Sequence, residues 1–400
     1  MKKVLIFSLQ YYPFVGGAEV AIKEITDRIS PEEYEFHMVT SRFDNTLPKT
    51  EKIGNVTVHR IGLATKSPGI ADLKKMPLHL NKFLFQLLAV PHARSLHRRY
   101  RFDMTWAMMA HATAIPAGIF KRMNPRVPYV LTLQEGDPTE YIEKMMKPVW
   151  PLFRQGFVLA DALQPISTFL LNWGKRMGFT GEEKVIPNGV DTGRFTQTFS
   201  PEEVANMKQD LGKKEGDVFI VTTSRLVHKN AVDDVITALA RLPENVSFLI
   251  YGIGPDEDKL KELARTLGVE SRARFMGQIG HKEMPLMLAA CDIFTRPSRS
   301  EGMGNSFIEA MAAGLPVIAT QEGGIADFLF DAKRNPETPA TGFAVDADSP
   351  EQIASAVEDI LAHPQRVAEV VANAKKRALT GFDWDTIASS MRELFGRLAG

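Results

Sequence analysis

Short apolar runs alternate with amphipathic, helix-length stretches along the whole chain. In the first half the runs are VLIFSL (4–9), YEFHMVTS (34–41), VTVHRIG (56–62), MTWAM (104–108), YVLTLQ (129–134), ALQPIS (162–167) and KVIPNG (184–189). The second half repeats the habit with VFIVTTS (218–224), VSFLIYG (246–252), ARFMGQ (273–278), DIFTRPS (292–298), PVIAT (316–320) and GFAV (342–345). Apolar runs of this length, bounded by turn residues, read as buried strands. Strands alternating with helices predict an α/β chain of two doubly wound parallel sheets with Rossmann-like topology. The turn-rich segment 187–203, PNGVDTGRFTQTFSPEE, reads as the linker between them. Within it, Ser200-Pro201-Glu202-Glu203 predicts an N-cap followed by a helix starting on proline.

Length and charge agree with two domains. A chain of 400 residues is too long for one core. Its formal net charge of zero hides 25 Lys and Arg against 17 Asp and Glu in residues 1–190, and 23 against 31 in residues 191–400. Opposed halves suggest different partners. Cys291 is the only cysteine, which excludes an intrachain disulfide, argues against a structural zinc cluster and makes a reducing, cytoplasmic location the expectation. The start, MKKVLIFSLQYYP, has a short apolar core, and Gln10-Tyr11-Tyr12-Pro13 stands where a signal-peptide cleavage site would be. No run of eighteen apolar residues is present, so no membrane-spanning helix is expected. No nucleic-acid partner is expected either.

Residues 73–102 lack acids but carry Lys74, Lys75, Lys82, Arg94, Arg98, Arg99 and Arg101, with Leu80, Phe83, Leu84, Leu87 and Leu88 on one helical stripe. A basic amphipathic segment suits an anionic membrane surface, at ~1 kcal/mol per engaged cation, at the inner face of a cell membrane. It equally suits a core-facing helix with a solvated basic face. The run KMMKPVWPLFRQGF (144–157) either extends that face or lines an acceptor groove.

Candidate chemistry concentrates in SRSEGMGNSFIEAMAAGLPVIATQEGG, residues 298–324. Glu301 falls in a loop after a predicted strand, and Glu309 falls about one turn inside the helix predicted to begin near Asn305–Ser306. Both carboxylates then look toward one pocket at the strand's C-terminal end. Gly302 and Gly304 let backbone crowd a ligand, and the helix start suits an anion. Two acids beside an anion site describe a ligand with both hydroxyls and phosphate, such as a nucleotide sugar.

This stretch resembles the E-x7-E signature of retaining GT-B glycosyltransferases of family 4, including the trailing E-A-M-A-x-G-x-P-V-I-A and Gly-Gly. The resemblance implies two Rossmann-like domains facing across a cleft, here residues 1–190 on the acceptor side and 191–380 on the nucleotide-sugar side, with 381–400 crossing back to the first. It implies that Glu309 holds the ribose hydroxyls and Glu301 the sugar hydroxyls, with Gly302, Met303, Gly304, Asn305 and Ser306 lining the donor. Pro187-Asn188-Gly189-Val190-Asp191 matches the family's junction motif.

Further elements extend the site. Gly16 and Gly17 precede a helix predicted from Ala18 to about Ser30, a phosphate-friendly geometry that in the family faces the donor phosphates. The dinucleotide fingerprint G-x-G-x-x-G is missing there, which disfavours an NAD-dependent oxidoreductase. His111 follows a predicted strand and matches the family histidine that hydrogen-bonds the donor sugar. Gln134, Glu135 and Asp137, after the next strand, are placed to meet an acceptor hydroxyl. Arg225 and Lys229 lie four residues apart after a strand and are positioned to reach one diphosphate, although many members space them five apart. Gly252, Gly254 and Ile279, in glycine turns at strand ends, fit the rim that in the resembled family holds the base, largely through backbone contacts. The strings Asp346–Asp348 and Asp383–Asp385 read as helix caps. No metal or other cofactor is expected, since Arg225, Lys229 and helix amides can offset the leaving diphosphate's charge. The implied reaction moves a hexosyl unit from a UDP- or GDP-linked donor to a hydroxyl of a lipid-linked, saccharide or small-molecule acceptor, with retention. A sugar-nucleotide epimerase of the same fold and a non-catalytic nucleotide-sugar-binding protein are the alternatives.

Overall fold

The computed structural model describes residues 1–399, which divide into two compact units: Met1–Asn188 with the segment from Trp384 onward, and Gly189–Asp383. The first unit is built on strands β1 (Lys2–Phe7), β2 (Tyr34–Ser41), β3 (Thr50–Ile53), β4 (Val56–Ile61), β5 (Met104–Met108), β6 (Tyr129–Leu133), β7 (Ala162–Pro165) and β8 (Glu182–Glu183). Its helices are α1 (Gly17–Arg28), α2 (Asn81–Tyr100), α3 (Ala110–Met123), α4 (Thr139–Met146), α5 (Trp150–Val158) and α6 (Thr168–Arg176). Among the described residues the sheet runs β3-β4-β2-β1-β5-β6-β7-β8, parallel except for β3 against β4. The order reverses between β1 and β5, so that is its switch point.

Helices cover both faces, which is why the central strands β1, β5 and β6 are mainly apolar and buried. Val4 and Ile6 of β1 join α1 and the C-terminal helix Trp384–Leu398 in one core, whereas Phe7 packs edge-on against Phe120 of α3. The C-terminal helix buries Met391, Leu394 and Phe395, with the Phe395 ring 5.3 Å from that of Trp106. At roughly 1.5–3 kcal/mol per such side chain, those contacts hold the last helix to this unit.

The second unit contains β9 (Val218–Thr223), β10 (Val246–Tyr251), β11 (Ala273–Gly277), β12 (Ile293–Arg296), β13 (Val317–Ala319) and β14 (Phe343–Ala344). Between and around them run α7 (Thr192–Phe195), α8 (Pro201–Asp210), α9 (Val232–Leu239), α10 (Glu257–Thr266), α11 (Met284–Ala289), α12 (Asn305–Ala313), α13 (Pro350–Ala362) and α14 (Pro364–Gly381). The all-parallel order β11-β10-β9-β12-β13-β14 is again that of a Rossmann sheet, with its switch point between β9 and β12. Ser200 caps α8 as its sequence predicts: its hydroxyl accepts from Glu203 N at 3.2 Å, and the Glu203 carboxylate accepts from Ser200 N at 2.8 Å. Val190 N donates to Phe382 O at 2.7 Å, so the chain enters and leaves this unit side by side.

Two sequence expectations change. Residues 184–189 are not a strand, and the ladder there is confined to β8. Lys184 N and Ile186 N still donate to Leu163 O and Pro165 O, but Pro165 and Pro187 have no N–H to complete a regular pairing. The sequence reading omits β3, a polar four-residue edge strand turned back on β4 through Gly54 and Asn55, with Gly54 at φ 57°. Of the two readings left open for the stripe on α2, the structure shows the outward one, since the helix buries Phe85, Ala89, Val90, Ala93 and Leu96 instead. The stripe read as apolar lies on its outer side, where Phe83 is 58% and Leu87 70% exposed. No described helix is long and apolar enough to cross a membrane.

Candidate functional site

Because every strand of the second unit runs parallel, the loops after β9, β10, β11, β12 and β13 all emerge at one edge of the sheet. Glycine decides how closely they pack. A Cβ at Gly252 would stand 1.7 Å from Ser224 O, and one at Gly254 2.1 Å from Leu226 O. Only glycine therefore lets the loop after β10 lie on the loop after β9, which carries Arg225 and Lys229. Arg225 is exposed; its carbonyl accepts from Asn230 Nδ2 at 2.6 Å, folding the loop on itself.

The loop after β12 is bonded directly to that loop. Arg299 N donates to Lys229 O at 2.8 Å, and the Arg299 guanidinium donates to His228 O at 2.7 Å. The same guanidinium is held by Asp233 at 2.9 Å, Asp234 at 2.8 Å and Asp348 at 2.6 Å. Burial nevertheless pushes the Asp234 carboxyl up to about 6. Asp348 is thus a partner of Arg299 rather than a helix cap, and Asp346 accepts from Gln352 Nε2 at 2.8 Å. Asp383 accepts from the Thr192 hydroxyl, and Asp385 pairs with Arg28 at 2.7 Å.

Beside this junction lies the acidic pair. Arg296, the last residue of β12, is buried, and its Nη2 donates to Glu301 Oε2 at 2.6 Å while Nη1 donates to Ser306 Oγ at 2.8 Å. The guanidinium also sits 4.2 Å from the centre of the Phe307 ring. Glu301 Oε1 accepts from Gly302 N at 3.1 Å, and Glu301 O from Gly324 N at 3.0 Å. Gly323 is required for the latter approach, since a Cβ there would stand 2.1 Å from Glu301 O.

Glu309 lies in the same cluster and is 8% exposed. Burial pushes its carboxyl up to about 7, against the pull of Arg296 and Arg194. His281, from the loop after β11, brings Nδ1 to 4.0 Å from Glu309 Oε1. Helix α12 starts on Gly304 at φ 87°, with no side-chain cap among the described residues and no acid in its first turn. Glu301, Gly302, Met303, Gly304, Asn305, Ser306 and Glu309 therefore form one tight segment, next to the loop of Lys229. Met303 is buried within it, and Ile279, two residues before His281, is half-buried.

The first unit has a different chemistry at its switch point. Gly16 N donates to Glu19 Oε2 at 2.6 Å, so the chain's own carboxylate occupies the start of α1. Burial raises the Glu19 carboxyl, and backbone hydrogen bonds hold it partly down. Gly17 has no heavy atom within 4 Å of where a Cβ would stand. His111 is the second residue of α3, just past β5.

Glu135 is redirected relative to the sequence reading. It is 1% exposed, and its carboxylate accepts from His111 N at 3.3 Å, His111 Nδ1 at 3.4 Å and Gln134 N at 3.0 Å. A carboxylate so enclosed orients the imidazole and is closed to an incoming hydroxyl; the accepting Oε1 places the ring proton on Nδ1. Gln134 is likewise engaged, with its amide paired to that of Asn188 at 2.9 Å. Asp137 is exposed. The sequence reading missed Arg296, Arg299 and His281. For Arg296 a signal was available, a charge inside an otherwise apolar buried run.

Comparison with known proteins identifies the family and the fold. The model for Glycosyl transferases group 1 matches residues 203–377, and that for Glycosyltransferase Family 4 matches residues 15–194. A GDP-mannose-dependent alpha-(1-6)-phosphatidylinositol monomannoside mannosyltransferase of Mycolicibacterium smegmatis is 34% identical over 219 residues, covering 52% of this chain and 55% of that protein. The chain thus spans about half the length of the curated relatives of this kind that it matches. An uncharacterized glycosyltransferase of Methanocaldococcus jannaschii is 24% identical over 402 residues, covering 96% of each chain. Among solved structures, sucrose-phosphate synthase from Thermosynechococcus elongatus superposes with a TM-score of 0.81 at 20% identity, covering 100% of this chain and 99% of that one. Anabaena HepE in complex with UDP-glucose gives 0.76 at 21% identity, covering 99% and 100%. One family model takes in the first switch point and the other the acidic pair, and the chain is a member of glycosyltransferase family 4 with the GT-B fold.

Proposed function

We propose that the chain transfers a hexosyl unit from a nucleoside diphosphate sugar to a hydroxyl, with retention of anomeric configuration and without a metal. The observation that carries this reading is the pair Glu301 and Glu309 around buried Arg296, hydrogen-bonded through the β12 loop to the loop of Arg225 and Lys229. Arg225 and Lys229 bind the diphosphate, each charge-assisted bond contributing about 1.5–3 kcal/mol. Glu309 accepts from ribose hydroxyls and Glu301 from sugar hydroxyls, and backbone at Gly252, Gly254 and Ile279 borders the base. In the first unit, His111 offers Nε2 as a hydrogen-bonding group for sugar.

In this scheme the bond from the anomeric carbon to the β-phosphate oxygen breaks ahead of bond formation, its electron pair leaving with the diphosphate. The acceptor oxygen attacks the same face, and its proton passes to the departing phosphate oxygen. The charge gathering on that phosphate is what Arg225 and Lys229 offset, and such stabilisation is commonly the largest single effect in a site of this kind. A thermal-shift panel of UDP- and GDP-linked sugars, followed by product analysis with the best stabiliser, tests the reading. Stabilisation with sugar transfer supports it; no stabilisation by any nucleoside diphosphate sugar contradicts it.

We further propose that the acceptor is lipid-linked and that α2 meets an anionic membrane surface. Residues 73–102 combine seven cations and no acid with outward-facing Phe83, Leu87 and Leu88. The names of the mannosyltransferase above and of the alpha-monoglucosyldiacylglycerol synthase of Acholeplasma laidlawii, 22% identical over 347 residues, refer to glycolipids. Co-flotation with vesicles containing phosphatidylglycerol, lost on L87E and absent with pure phosphatidylcholine, is the expected result. Equal flotation on both vesicle types would contradict it.

A further inference from the structure

We propose that Arg296 is a positioning residue for the donor site: one guanidinium fixes both the carboxylate that meets the sugar and the serine hydroxyl beside the diphosphate. The inference rests on the donor-binding reading above and adds to it a residue outside the acidic motif.

Three observations support it. Arg296 is buried at the end of a strand whose other residues are apolar or neutral, a place where a charge persists only when its partners are built around it. Its two terminal nitrogens diverge to two different groups, Glu301 Oε2 at 2.6 Å and Ser306 Oγ at 2.8 Å, which a single-point cation such as lysine does not reproduce. The backbone is shaped for it as well. A Cβ on Gly304 would stand 2.5 Å from Arg296 Nη2, so the glycine in E-G-M-G-N is needed for the guanidinium to reach its partners.

Consequences for the donor follow from hydrogen-bond capacity. With Oε2 bonded to Arg296 and Oε1 to Gly302 N, each Glu301 oxygen keeps one lone-pair direction, so the carboxylate can accept from two sugar hydroxyls while held in one orientation. Ser306 accepts from Arg296, which turns its own hydrogen away from the guanidinium and makes the hydroxyl a donor toward an anion at the start of α12. Paired with Arg296, Glu301 presents a neutralised ion pair rather than a bare negative charge. Its part in the reaction is then orientation of the sugar more than charge attraction.

Four variants test this: R296M, R296K, E301Q and the double R296M/E301Q, each checked by thermal melt and assayed for donor KM and kcat against pH. R296M is expected to lower kcat about 100-fold, the scale of an ångström-sized misplacement, with a much smaller change in donor KM. R296K, which keeps the charge and loses the fork, falls between it and wild type, and carries the test where R296M does not fold. The double variant is expected to be no worse than the poorer single one, because the two side chains act as a unit. Because Arg296 pulls the Glu309 carboxyl down, the pH below which donor KM rises is expected to be higher in R296M, a change that loss of fold stability alone does not produce. Unchanged kcat in R296M and R296K, or losses that multiply in the double, overturns the positioning role while leaving glycosyl transfer in place. A wild-type chain that binds neither UDP nor GDP and turns over no nucleotide sugar overturns the transfer reading and this role with it.

Discussion

At the start of α1 in the first unit, a buried carboxylate from Glu19 takes the Gly16 amide at 2.6 Å. At the start of α12 in the second, Gly304 stands at the cap, the first turn holds no acid, and the loops of Arg225 and Lys229 run alongside. The two sheets share the central order of a Rossmann sheet and carry loops at the same kind of switch point, but the helix starts there are capped differently. The first unit instead keeps a hydrogen-bonding site, His111 oriented by the enclosed Glu135.

Substitutions can break this contrast. The largest effect is expected for Glu301→Gln, which should lower kcat by about 10²–10³ while donor affinity changes little. Steady-state kinetics with the best donor checks it, and an unaltered kcat would remove Glu301 from the reaction. Next comes Arg225→Ala, which should weaken nucleoside diphosphate binding by about 10–100-fold and lower the rate as well, measured by calorimetry and turnover.

Glu309 sharpens the comparison through pH. Its folded-state carboxyl stands at about 7 against an ordinary value of 4.5, so between those values the folded chain holds a proton that the unfolded chain has lost. The group's contribution to stability is therefore complete below about pH 4.5 and is lost as the pH rises to 7 and beyond. Glu309→Gln should then stabilise the chain by the order of 1–3 kcal/mol more at pH 8 than at pH 4, read from thermal melts. Donor KM of the wild type should rise below pH 7, where a protonated Glu309 accepts ribose hydroxyls less well. The smallest effect is expected at Glu19. Glu19→Gln should leave nucleoside diphosphate affinity unchanged and cost about 0.5–2 kcal/mol of stability.

Much of this was legible in the residues, for reasons that can be named. Fully buried parallel strands write themselves as apolar runs, so YEFHMVTS and MTWAM coincide with β2 and β5. Capping chemistry is local, so Ser200-Pro201-Glu202-Glu203 placed the start of α8. The acids of the E-x7-E segment were legible because their spacing along one loop and one helix fixes where they point.

Long-range pairing was not legible. Glu135 looked available for a substrate because nothing in its neighbourhood reveals a histidine 24 residues earlier. The stripe on α2 left an outward and a core-facing reading open because periodicity identifies an apolar side without saying which side the sheet takes. Short β3 carries too little burial to leave a pattern.

The central claim is that the second unit's switch point holds the diphosphate. Hydrogen exchange of the full-length chain, with and without saturating UDP or GDP, tests it most directly. Slowed exchange concentrated in residues 224–231 and 299–310 is the predicted result. Exchange slowed in residues 9–20, with those two segments unchanged, would contradict it.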